Sequence, residues 1–153
     1  MQTETRQLRE LTLRYSVKKS DTGEPLMVPV AVATPAQSAA IVMPLLQHEA
    51  NEVFAILCLS TKHRVVAYHE VSRGTLDATL VHPRDVFKAA LLANSAAIVI
   101  AHVHPSGDPT PSLNDILLTR RLVTAGELLG VDVLDHIIVG DGRYYSFRQG
   151  GQL

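Results

Sequence analysis

The stretch AAIVIAHVHPSGDPTPSLND, residues 96–115, decides how this chain folds. It opens on AAIVIA, apolar at every position, which is the pattern of a central strand covered on both faces. His102-Val103-His104 follows at once; if the extended backbone continues, the period of two turns both imidazoles to one face and Val103 to the other. Residues 104–111 hold three prolines and one glycine, which excludes regular structure. Ser112 then caps a helix expected to reach Leu129, with Leu118, Leu122, Ala125 and Leu129 as its apolar stripe and Gly130 as its stop.

Working outward, residues 83–92 read as an Ala- and Leu-rich helix that ends at Ala93-Asn94-Ser95, preceded by an alternating strand over residues 75–81. Residues 53–60 (VFAILCLS) and 64–70 (RVVAYHE) flank Thr61-Lys62-His63 and predict a hairpin. Upstream, Thr34-Pro35 offers an N-cap with proline at the first helical position, leading into a helix to Leu46. Residues 27–33 are apolar, and Pro29 marks them as an edge or irregular strand. Residues 11–17 alternate, with Leu11, Leu13, Tyr15 and Val17 on one side, and predict an early half-buried strand. Residues 131–139 and 144–147 are the closing strands, joined by Gly140-Asp141-Gly142-Arg143 and followed by a mostly polar tail. Strand pairs with inserted helices predict an α/β domain around a mixed sheet.

Composition bounds the function. A chain of 153 residues that is 46% hydrophobic can build one ordinary core, so one domain is the default, with residues 1–50 as an N-terminal extension packed on a core of residues 51–153. Fourteen Lys plus Arg against fifteen Asp plus Glu give a formal charge of -1, which neither draws the chain to nucleic acid nor repels it. Cys58, the single cysteine, lies inside an apolar run and excludes both an intrachain disulfide and a thiolate zinc cluster. The first residues lack an apolar signal segment, and the uncharged run of residues 25–47 is broken by four prolines; a cytoplasmic location and no membrane span are expected.

The chemistry centres on a metal. His102 and His104 suit one ion, and Asp115, in the first turn of the helix capped by Ser112, can be returned to the strand end by the Pro-Gly loop. Asp108, within that loop, competes as the third ligand. Two neutral imidazoles and a carboxylate leave a tetrahedral zinc (Zn2+) one position for water. The water needs a carboxylate outside the ligand set to move its proton, and Glu52 is the best candidate because it opens the strand expected beside the central one. The Ser112 hydroxyl is placed to support an oxyanion. Each part has a plainer explanation: Ser112-x-x-Asp115 alone is a helix cap, a lone His-x-His need not bind metal, and Glu52 alone is a solvated strand end. Only their combination argues for catalysis.

Glu52, His102-x-His104, seven residues and Ser112-x-x-Asp115 reproduce the signature of the JAMM/MPN zinc metalloenzymes. More closely, AHVHPSGDPTPSLNDILLTRRLVTAGELLGVDVLDHIIVG (residues 101–140), with Ser72-Arg73-Gly74-Thr75-Leu76 and Val81-His82-Pro83-Arg84-Asp85-Val86-Phe87, resembles the RadC-like family. The resemblance implies the MPN (JAB/JAMM) fold, a mixed, mainly antiparallel sheet flanked by helices in cytidine-deaminase-like layers. It favours Asp115 over Asp108 as third ligand and implies zinc on His102, His104 and Asp115, Glu52 as general acid/base and Ser112 at the oxyanion. It further implies a peptide or protein substrate, including a ubiquitin-like tail, and a short form without the helix-hairpin-helix region that longer members carry, which makes direct DNA contact an unfavoured expectation.

Among the other polar residues, His136 reads as a packing residue bonded to a structural partner, His82 as a local helix-start residue, and His63 and His69 as surface residues of the hairpin. Arg120-Arg121 reads as a solvated helix face. Two functions follow. The first is a zinc metallopeptidase; the second is a non-catalytic zinc module recruited to DNA-repair or replication proteins. A homodimer or a peptide paired along a sheet edge is compatible with either.

Overall fold

The computed structural model describes residues 6–74 and 81–153. The strand expected over residues 75–81 therefore lies, but for Val81, outside the described residues. The elements are α1 (Pro35–Leu46), β1 (Val53–Leu59), β2 (Val65–Arg73), α2 (Pro83–Leu92), β3 (Ala97–Val103), α3 (Leu113–Leu129), β4 (Asp132–Gly140) and β5 (Arg143–Ser146). They form one sheet in the order β2-β1-β3-β4-β5. β1 is antiparallel to β2 and β3, β4 is antiparallel to β5, and only β3 and β4 are parallel, joined across α3. This is the mixed, mainly antiparallel sheet expected.

All seven residues of β1 and all seven of β3 are buried, because helices cover both faces of the sheet centre. On one face, α1 packs Ile41, Val42 and Leu46 against Val53, Leu57, Val99, Ala101 and Val139. On the other, Val86 and Phe87 of α2 and Leu118 and Leu122 of α3 meet Phe54, Ile56, Ile98 and Ile100. Along β3 the odd residues face α1 and the even ones face α3, so His102 faces α3. α1 opens as expected, with Thr34 as N-cap and Gln37 completing a capping box. Among the described residues no helix is long and apolar enough to cross a membrane.

Three expectations are corrected. Residues 11–17 form no strand: Leu11, Leu13, Tyr15 and Val17 are all exposed, because alternation supplies two faces but, among the described residues, no neighbouring ladder pairs with this segment. The irregular strand at residues 27–33 shrinks to one bridge, Ala31 with Arg64. The stripe on α3 also shifts at its end. Leu118 and Leu122 are buried, but Leu129 is 44% exposed and Gly126 takes the buried position.

Gly126 is there because nothing larger fits. A Cβ on it would stand 2.3 Å from the Val131 carbonyl oxygen and 3.3 Å from the Phe87 ring, where the chain reverses through left-handed Gly130 (φ 72°) into β4. Gly126→Ala should therefore lower stability by about 1–3 kcal/mol despite alanine's better helix propensity, read as a fall in the urea unfolding midpoint.

Candidate metal centre

The site lies at the carboxyl end of β3, where the chain leaves the sheet for α3. His102 pairs in register with Phe54 of β1 and Ile138 of β4 and is almost fully buried. The backbone stays extended one residue past β3, as the His104 N–H donates to the Val139 carbonyl at 2.9 Å. The period of two therefore holds, and the two imidazole Nε2 atoms come within 2.9 Å of each other. The proline-rich loop is pressed onto the end of β4: a Cβ on Gly140 would lie 2.7 Å from the Gly107 carbonyl oxygen. Held there, the loop presents the Asp108 carbonyl to His104 Nδ1 at 2.8 Å.

Asp115 is set by the helix cap. Ser112 Oγ accepts the Asp115 N–H at 3.1 Å, and the Ser112 N–H donates to Asp115 Oδ2 at 2.8 Å. The cap and the ligand are one device, since the bond that closes the first turn also aims the carboxylate. Its oxygens stand 3.3 Å from His102 Nε2 and 3.2 Å from His104 Nε2. The ligand atoms of His102, His104 and Asp115 all lie within 4.8 Å of one another, a cluster able to hold a metal ion. The Asp108 carboxylate accepts the Thr110 N–H within the loop and is not part of this cluster.

The electrostatics match a cation site. Burial alone would raise the Asp115 carboxyl, but the His102 and His104 rings beside it outweigh that and hold the group well below the usual carboxylate range. The Asp115 carboxylate raises His104 against its own burial. Glu52 and Ser112 line the same cleft as the three ligands, together with Phe54, Asn114 and Leu118, around a volume of about 350 Å³.

Two participants were not assigned to the site from the sequence. His136, fully buried in β4, brings Nε2 to 2.7 Å from His102 Nδ1, and its Nδ1 lies 2.6 Å from Thr119 Oγ1 on α3. Burial, with His102 beside it, drives His136 well below its ordinary pKa. It is stacked on Phe147 and meets Phe54 edge-on. The signal available was a histidine directly before the apolar run Ile137-Ile138-Val139 in a strand, where both ring nitrogens need partners once buried. His63, His69 and His82 lie outside the cluster.

A family model for the RadC-like JAB domain matches residues 32–152. The chain belongs to the RadC-like JAB domain family. Within it, the chain is 47% identical over 120 residues to a UPF0758 protein of Methanosarcina barkeri, covering 78% of this chain and 52% of that protein. It is 46% identical over 136 residues to a UPF0758 protein of Desulfitobacterium hafniense, covering 89% of this chain and 60% of the relative. A UPF0758 protein of Alkaliphilus oremlandii is 49% identical over 109 residues, 71% of this chain and 47% of its own length. The chain thus spans about half the length of these relatives, and the family match over residues 32–152 includes His102, His104 and Asp115.

Proposed function

We propose that this chain is a zinc-dependent peptidase that hydrolyses a peptide or isopeptide bond. The observation that carries the reading is the convergence of two imidazoles and one carboxylate on one point. A carbonyl can only accept, so His104 donates Nδ1–H to Asp108 and turns the lone pair of Nε2 toward His102 Nε2 and the Asp115 carboxylate. A bare imidazole nitrogen and a carboxylate aimed at one point repel unless a cation joins them, and two imidazoles with one carboxylate are a donor set suited to zinc.

His102, His104 and Asp115 would hold the zinc, which when bound would supply Lewis-acid chemistry and make a water acidic enough to ionise near neutral pH. Glu52, on the wall of the cleft and outside the ligand set, takes the proton of the attacking water and returns it to the leaving amine. Ser112 Oγ already accepts the Asp115 N–H, so its own proton is left to donate to the carbonyl oxygen of the substrate as charge develops there. Phe54 and Leu118 supply apolar wall, so water is kept from the reacting bond on that side.

The test is metal content with activity. We expect the purified chain to bind one zinc, to cleave at least one member of a panel of peptide and isopeptide substrates, and to lose and regain that cleavage on chelation and zinc return. Asp115→Ala should weaken zinc binding by more than the about 10–100-fold that loss of an outer-shell partner costs. Failure to take up zinc, or hydrolysis indifferent to a chelator, would overturn the reading.

A further inference from the structure

We infer that Thr119 and His136 are positioning residues that fix the tautomer of His102, leaving its Nε2 bare and facing the metal site. The inference rests on the zinc reading above and concerns how the chain prepares its ligands.

Every proton in the chain of bonds can be assigned from one fixed end. Thr119 Oγ1 lies 2.6 Å from the carbonyl oxygen of Asp115, one helical turn earlier in α3. That carbonyl can only accept, so the single hydroxyl proton of Thr119 is used there. Toward His136 Nδ1, at 2.6 Å, Thr119 Oγ1 must then accept, which places a proton on Nδ1 of His136. A neutral imidazole carries one N–H, so His136 Nε2 is an acceptor. Facing it at 2.7 Å, His102 Nδ1 carries the proton, and His102 Nε2 is left with its lone pair.

With the Thr119 proton held on the Asp115 carbonyl at 2.6 Å, the opposite sense needs a charged His136, with a proton on each nitrogen. Its ring is 0% exposed and lies between Phe147 and Phe54, and among the described residues no carboxylate is bonded to it; the neighbouring Asp135 spends Oδ1 on the His136 backbone N–H instead. An imidazolium there would be a buried charge without a counter-ion, which protein interiors avoid. The chain also closes on itself. It begins at the backbone carbonyl of Asp115 and ends at His102 Nε2, 3.3 Å from the side-chain carboxylate of the same Asp115. One helical turn of α3 therefore supplies a ligand and sets the protonation of a second ligand on β3.

The discriminating substitutions are at Thr119, because they leave both histidines in place. In Thr119→Val the side chain keeps its shape and loses its acceptor. His136 then gains by moving its proton to Nε2 and donating to His102 Nδ1, which puts the His102 proton on Nε2 where the metal must bind. We expect zinc affinity, measured by competition with a chromogenic chelator, to fall about 10–100-fold in Thr119→Val. Thr119→Ser, which restores a hydroxyl, should return it to within a few-fold of the parent.

Long-range proton–nitrogen NMR of the zinc-free protein, in mildly alkaline solution, reads the tautomer without any metal. His102 should show a protonated Nδ1 and bare Nε2 in the parent and in Thr119→Ser, and the reverse in Thr119→Val. Parent His102 with a protonated Nε2, or Thr119→Val with parental affinity and parental nitrogen shifts, would overturn the inference. Should the parent bind no zinc, the zinc reading fails while the nitrogen shifts still decide the tautomer.

Discussion

Glu52→Gln is expected to keep one zinc per chain and an unchanged fold while losing hydrolysis by about 10²–10⁴-fold, the usual contribution of a positioned general acid/base. The expectation follows from register. Phe54 of β1 pairs antiparallel with His102 of β3, and continuing that pairing by two residues sets Glu52 across from His104. The period of two puts Glu52 on the same side of the sheet as Phe54 and His102, and its side chain lines the cleft with the three ligands. Glutamine keeps the shape and the hydrogen-bonding reach of glutamate but cannot take a proton from water. The ligands are untouched, so metal content should not change, and the loss corresponds to about 3–5 kcal/mol of barrier. Metal analysis beside initial rates on the same preparation measures both. Undiminished turnover in zinc-loaded Glu52→Gln would remove Glu52 from its role.

Asp135→Ala should cost about 3–5 kcal/mol of folding stability, seen as a large fall in the urea midpoint, because it strips the acceptor from three donors at once. Asp135 is 3% exposed. Its carboxylate receives the His136 N–H at 2.7 Å, the Arg148 N–H at 3.0 Å and the Ser146 hydroxyl at 2.6 Å. These bonds tie β4 to the end of β5 and to the turn after it. Alanine would leave those donors facing a small cavity, and a domain of this size has only about 5–15 kcal/mol in total. Asp135→Asn keeps one oxygen and should lose less. A midpoint within error of the parent in Asp135→Ala would show that water or a relaxed backbone replaces the carboxylate.

Much of the fold is legible in the sequence because its signals are local. Pro83 and Leu92 bound α2 as read, since proline at a helix start and the Ala93-Asn94-Ser95 break act on adjacent residues. The apolar run before His102 reads as a covered central strand, and β3 is one. The alternation at residues 11–17 misleads for the complementary reason: the pattern shows that a strand would have two faces, and pairing depends on an edge supplied elsewhere. Leu129 misleads in a similar way, because the chain turns away at Gly130 and β4 closes on Gly126 instead.

At the site, the same division holds residue by residue. His102 and His104 share a face because extended backbone repeats every two residues, and Ser112 aims Asp115 because a capping box spans one helical turn. Those geometries are fixed within a few bonds, so the sequence determines them by itself. Bringing His136 to His102 is not local. In the parallel pairing of β3 with β4, Ile98 stands beside Val133 but Val99 stands beside Asp135, so one extra residue enters β4 at that point. Without it, alternation would turn Asp135 toward α3 and His136 toward α1; with it, the faces exchange and His136 meets His102. Only the packed sheet chooses that register, because it depends on which residues of two strands, separated along the chain by the whole of α3, can be buried together.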